Sequence, residues 1–215
     1  MAWSGTDAEL VALARRGDMA AAASAVYNRF SDDVNRLVWR VLGADPEHDD
    51  VVHQVFVHII SGLTKVRDPE TLPAWMASVC VKTVRSEIRR RRVRRFFHVG
   101  AAELPRIAAP VEDHEARELL ERVYSLLNAL PVDERIAFAL RYIDERPLLE
   151  VAEACNCSLS TIKRRLSKAE KRFARLASRD AAMAERLARG ARSDAVSETD
   201  DRWGARSRAS AKEPA

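Results

Sequence analysis

Apolar residues recur along this chain at intervals of three and four, and short breaks divide them into blocks. Leu10, Val11 and Leu13 lie in a block over residues 6–16 that stops at Gly17. Val26, Phe30, Val34, Leu37, Val38 and Val41 follow over 18–42, closed by Gly43, a one-faced helical pattern with a glycine stop. Pro46 opens a third block carrying Val51, Val52, Val55, Phe56, Ile59 and Ile60 as far as Gly62. A fourth starts at 71–73, where Pro73 is tolerated in a first turn, and holds Leu72, Trp75, Met76, Val79, Cys80 and Ile88. It is predicted to end inside the arginine run that follows. With Gly and Pro sparse and Ala, Leu, Val and Arg abundant, the pattern predicts an all-α fold.

Periodicity weakens over 96–116, where Gly100, Pro105 and Pro110 read as a flexible linker. A second module is predicted over 117–176, beside the first at 6–95. Leu119, Leu120, Val123, Leu126 and Leu127 open it, Leu130-Pro131 turns the chain, and Ile136, Phe138, Ala139 and Tyr142 continue in a further helix. Residues 177–215 form a C-terminal extension, helical as far as Gly190 and then too polar to pack.

The densest information lies in 149–173, LEVAEACNCSLSTIKRRLSKAEKRF. A short helix with Val151 and Ala154 inward meets Asn156, which tolerates a left-handed backbone, and Ser158, which caps a second helix. Ile162, Leu166, Ala169 and Phe173 form the buried stripe of that helix, while Lys163, Arg164, Ser167, Lys168 and Lys171 face away. A helix pair with a cationic second helix is a helix-turn-helix suited to a DNA major groove. The alternative is an amphipathic bundle with a solvated lysine face.

Charge supports the nucleic-acid reading. The formal net charge of +4 conceals an acidic cluster at Asp45, Glu47, Asp49 and Asp50 and two basic stretches, 82–95 and 163–175. Lys82, Arg85 and Arg89 share one helical face that can track phosphates, and Arg89 to Arg92 are consecutive arginines beyond what solubility requires. No apolar run is long enough for a bilayer and no secretion signal opens the chain, so a cytoplasmic protein without membrane insertion is expected. Cys80, Cys155 and Cys157 read as packing residues. His48, His53 and His58 step by five, about 140° on a helix, and diverge rather than converge on a metal. No nucleotide loop or catalytic motif appears, so neither cofactor nor enzymatic activity is expected.

Taken together, both modules resemble a group IV (extracytoplasmic-function) sigma factor of RNA polymerase. Leu130-Pro131, Asp133-Glu134-Arg135, Phe138 and Arg141-Tyr142 resemble the entry to region 4, and Val151-Ala152-Glu153 with Thr161-Ile162-Lys163 and Arg165-Leu166 resemble its two helices. Asp50-Val51-Val52-His53-Gln54-Val55-Phe56 resembles the core-binding helix of region 2, Trp75-Met76 its W-L pair, and 83–92 the basic end of the promoter-melting helix. The resemblance covers roughly residues 8–175 and implies two partners, core RNA polymerase and promoter DNA, with an anti-sigma factor as a third that it raises. It assigns Asp49, Asp50, His53, Gln54 and Phe56 to the polymerase. Trp75, Lys82, Arg85, Arg89 and Arg90 fall to the −10 element, and Thr161, Lys163, Arg164, Arg165, Ser167 and Lys168 to the −35 element.

The chain departs from the family pattern at three of these positions. His53 stands where glutamine is usual, Gln54 where an acid is usual, and Lys82 where an asparagine helps to capture a flipped base. Lysine anchors phosphate but lacks the paired donor and acceptor of an amide. A non-sigma helix-turn-helix regulator is the competing reading; it needs neither the 50–56 helix nor the basic helix from Trp75. As a free protein, a sigma factor of this kind is expected to be compact, its basic faces turned inward or covered by an inhibitor, with the modules separating on core polymerase.

Overall fold

In the computed structural model, which describes residues 5–97 and 114–185, the apolar blocks are helices, and no strand occurs among the described residues. Helix α1 (Asp7–Arg15) begins in a capping box: the Glu9 N–H donates to the Thr6 hydroxyl, and the Thr6 N–H donates to the Glu9 carboxylate. Helix α2 (Met19–Leu42) is capped by Asp18, which accepts from the Ala21 N–H, and ends at Gly43 with φ +73°. Helix α3 (His48–Gly62) leads through short 3-10 turns into α4 (Leu72–Phe97). Leu10, Val26, Val38, Val55, Ile59, Leu63, Leu72, Val81 and Val84 are fully buried where these helices meet.

One expectation fails here. Helix α4 does not stop inside the arginine run but continues through it to Phe97. Glu87 removes the repulsion that would fray the run, pairing with Arg90 at 2.8 Å and Arg91 at 2.7 Å. Arg91 also reaches Asp45 and lies 3.0 Å from Glu47. Burial alone would raise the Glu87 carboxyl pKa, yet the hydrogen bonds from Arg90 and Arg91 outweigh it and hold it below the usual glutamate value.

The second half comprises α5 (His114–Ala129), α6 (Val132–Phe138), a π turn over Ala139–Ile143, α7 (Leu148–Ala154) and α8 (Leu159–Ala177). The apolar core of α6 and α7 is continuous with that of α2–α4, and residues through Arg172 form one compact unit. So the two sequence modules are docked together in this structure; of the expected linker, residues 98–113 lie outside the described residues. From Phe173 onward a second unit begins. There the expected uninterrupted helix to Gly190 is broken by a turn over 178–180, and Asp180 accepts from the Met183 N–H to restart a helical segment at 181–185. The extension past 185 lies outside the described residues.

Candidate nucleic-acid and polymerase interfaces

The helix-turn-helix forms as its sequence dictates. Asn156 adopts φ +49°, its N–H donates to the Glu153 carbonyl, and the Cys157 N–H donates to the Ala152 carbonyl at 3.0 Å, closing the turn. Ser158 caps α8 by accepting from the Thr161 N–H at 3.3 Å. Ile162, Leu166 and Ala169 are buried, which turns Lys163, Arg164, Ser167 and Lys168 outward. None of those three cations has an ion-pair partner among the described residues, so their charge faces solvent. Thr161 is half-buried beside the Ser158 hydroxyl.

Arg165 differs from its neighbours. It is half-buried, points back toward the Cys157 thiol, and lies 3.8 Å from Asp133 of α6. In this conformation Arg165, which the resemblance assigns to the −35 element, is held inward, because its position borders the buried stripe.

Helix α4 sorts its cations in the same way. Lys82 is exposed and unpaired among the described residues. Arg85 is mostly covered, its Nε 2.9 Å from Asp133 Oδ1, and Arg89 donates to Asp133 Oδ2 at 3.4 Å. Arg90 is exposed but grips Glu87 with two hydrogen bonds of 2.8 and 2.9 Å. Arg92 donates to the carbonyls of Leu130 and Asn128. The arginine run, read from sequence as surplus charge for phosphates, is thus largely committed within the chain. Trp75 is half-buried with its indole against Gly62, where an added Cβ would lie 2.8 Å from the ring. Packing accounts for it in this conformation.

On α3, Asp49, Asp50, His53 and Gln54 are exposed together with Val57 and His58, forming one continuous edge. Phe56 does not belong to that edge. It is only 6% exposed and packs against Tyr27 at 5.1 Å between ring centroids, so in this conformation its ring lies in the core. The helical period puts position 56 on the side of Val52 and Ile59. Three features escaped the sequence reading. His58 Nδ1 lies 2.9 Å from the hydroxyl of buried Thr83, and its Nε2 lies 3.2 Å from the Gln54 amide, tying the α3 edge to α4. Val57, 44% exposed, adds an apolar spot to the edge. Asp133 joins Arg85, Arg89 and Arg165, a meeting of distant segments that no local pattern announces.

Comparison with known proteins gives the same two-part division. Residues 26–94 match Sigma-70 region 2 and residues 120–173 match Sigma-70, region 4. The chain is 27% identical over 178 residues to the ECF RNA polymerase sigma-E factor of Escherichia coli (strain K12), spanning 76% of this chain and 90% of that protein. It is 22% identical over 162 residues to the ECF RNA polymerase sigma factor SigW of Bacillus subtilis (strain 168), spanning 71% and 86%. Among solved structures it shares the fold of CnrH in complex with the cytosolic domain of CnrY, with TM-score 0.56, 22% identity, and 81% of this chain and 99% of that one covered. It also shares the fold of the sigma factor RpoE in complex with the anti-sigma factor NepR from Bartonella quintana, with TM-score 0.53, 20% identity, and coverage of 67% and 89%. A stand-alone helix-turn-helix regulator has no need of region 2, and the match at 26–94 disfavours that alternative. With region 2 and region 4 present in order, and relatives of one kind matched over most of their length, the chain belongs to the extracytoplasmic-function group of sigma-70 family sigma factors.

Proposed function

We propose that this sigma factor docks on core RNA polymerase through the exposed edge of α3 and presents α4 to the −10 element and α8 to the −35 element. The observation that carries the proposal is the pairing of two open surfaces: an α3 edge with Asp49, Asp50, His53 and Gln54, and an α8 face with unpaired Lys163, Arg164 and Lys168. An acidic and amide edge flanked by Val57 suits a basic helical partner. On α8, Lys163 or Arg164 can meet guanine edges while Ser167 and Lys168 hold backbone. On α4, Lys82 is ready for phosphate, and Arg85, Arg89 and Arg90 join it once released. Residues 6–95 act as the region 2 module and 117–176 as the region 4 module.

Each DNA contact is modest, and tethering both to one polymerase raises their effective concentration. Strand opening follows from capture of unstacked bases beside α4, with no hydrolysis by this chain. No described helix is long and apolar enough to cross a membrane, and we place the action with polymerase in the cytoplasm. Because CnrH and RpoE are each seen with a partner protein, an anti-sigma factor is proposed as a regulator here too.

Run-off transcription with purified core enzyme on fragmented genomic DNA tests the proposal. New start sites sharing −10 and −35 elements are expected, and Asp50→Lys is expected to remove them while leaving the fold intact by circular dichroism. Initiation indistinguishable from core enzyme alone would end the proposal.

A further inference from the structure

Several side chains join α2 and α4 to the second half, and they are not equivalent. The last carbonyls of α2, which have no partner within their own helix, are capped from across the junction. Tyr124 donates to the Arg40 carbonyl at 3.1 Å, and Arg135 donates to the Val41 carbonyl at 2.8 Å and the Leu42 carbonyl at 3.3 Å. Burial lowers the Arg135 pKa to about 10, which still leaves it protonated at neutral pH. These contacts orient the halves, and water can replace them at the carbonyls when the halves part.

Asp133 does something else. Its carboxylate sits between Arg85 and Arg89 of α4 and Arg165 of α8, with nearest separations of 2.9, 3.4 and 3.8 Å. One anion held by several guanidiniums imitates a backbone phosphate. The imitation is incomplete, since Arg85 Nε and Nη2 are both buried with no hydrogen-bond partner, the Nε contact to Asp133 being an ion pair only, and Arg85 is left with donor capacity that a real phosphate can use.

We propose that Asp133 is an intramolecular latch: it occupies the arginines of both DNA-binding helices while the protein is free, and gives them up to promoter phosphates when the halves separate on polymerase. The proposal rests on the reading of α4 and α8 as promoter-binding helices, but its structural part does not. Asp133 and DNA then compete for Arg85 and Arg89, so an open and a closed state differ in DNA affinity by the strength of the latch.

The test uses the full-length chain with Asp133→Asn, and with Glu153→Gln as a control that removes an exposed acid from α7 outside the cluster. Two measurements are made without polymerase: the distance between fluorophores on α1 and α7, and binding to a labelled promoter fragment carrying both elements. D133N is expected to lengthen the distance and bind DNA about tenfold more tightly than wild type, within the usual range of such coupling. E153Q is expected to leave the distance unchanged and to bind far less tightly than D133N. An unchanged distance in folded D133N overturns the latch, as does a lengthened distance with binding no tighter than in E153Q. Run-off transcription by wild type with core enzyme is measured alongside; its failure strikes the promoter reading, while the distance still decides whether Asp133 holds the halves together.

Discussion

Glu87 is where a single residue has the widest reach. Its carboxylate serves Arg90 and Arg91 and comes within 3.5 Å of Arg94, so one half-buried acid holds a cationic helix end together. Its folded-state pKa lies below the unfolded value, so it binds protons less readily in the native protein. The stability it contributes is therefore full above the unfolded glutamate pKa and is lost as pH falls through the lower, folded one. Thermal denaturation followed from neutral pH to well below about pH 4.3, the ordinary glutamate value, is expected to show a steeper loss for wild type than for Glu87→Gln, setting in only below that value. Parallel curves for the two proteins would remove Glu87 from this role. The sequence placed this acid among arginines, but only the packing showed that Arg91 bridges it to Asp45 and Glu47.

At the level of elements, the helix-turn-helix depends on Asn156 at φ +49°. A β-branched side chain there meets its own carbonyl, a cost of about 1–2 kcal/mol per residue in the left-handed region, whereas glycine avoids it. Asn156→Val is expected to lower the melting temperature and weaken binding to a −35 duplex, and Asn156→Gly to keep both near wild type; gel shifts and calorimetry distinguish them. Equal binding by all three proteins would mean that the turn does not set the pose of α8. Helix starts and stops were legible in the same way, through Thr6, Asp18, Gly43 and Ser158. The end of α4 was not, because the acids that stabilise its arginines include Asp45 and Glu47, far back in the chain.

At the scale of the whole molecule, promoter binding is a sum of phosphate contacts released or masked together. Holoenzyme affinity is expected to fall linearly with salt on logarithmic axes, with a slope set by the number of phosphates neutralised. Lys168→Ala should reduce that slope by about one without changing which promoter is preferred. A flat response in filter-binding assays would contradict contact through α4 and α8. The closed arrangement adds a second salt effect of opposite sense, since the partly exposed ion pairs around Asp133 are themselves screened.

Local rules gave the helices, the inward and outward faces of α3 and α8, and the family, because periodicity, caps and turn residues act over a few positions and leave their mark in order along the chain. They also put the exposed edge of α3 in view, and with it the apolar block that holds Phe56. Which arginines remain free was decided by tertiary structure. Charges pair through space, and Asp133 meets Arg85, Arg89 and Arg165 only because packing brings three helices to one point.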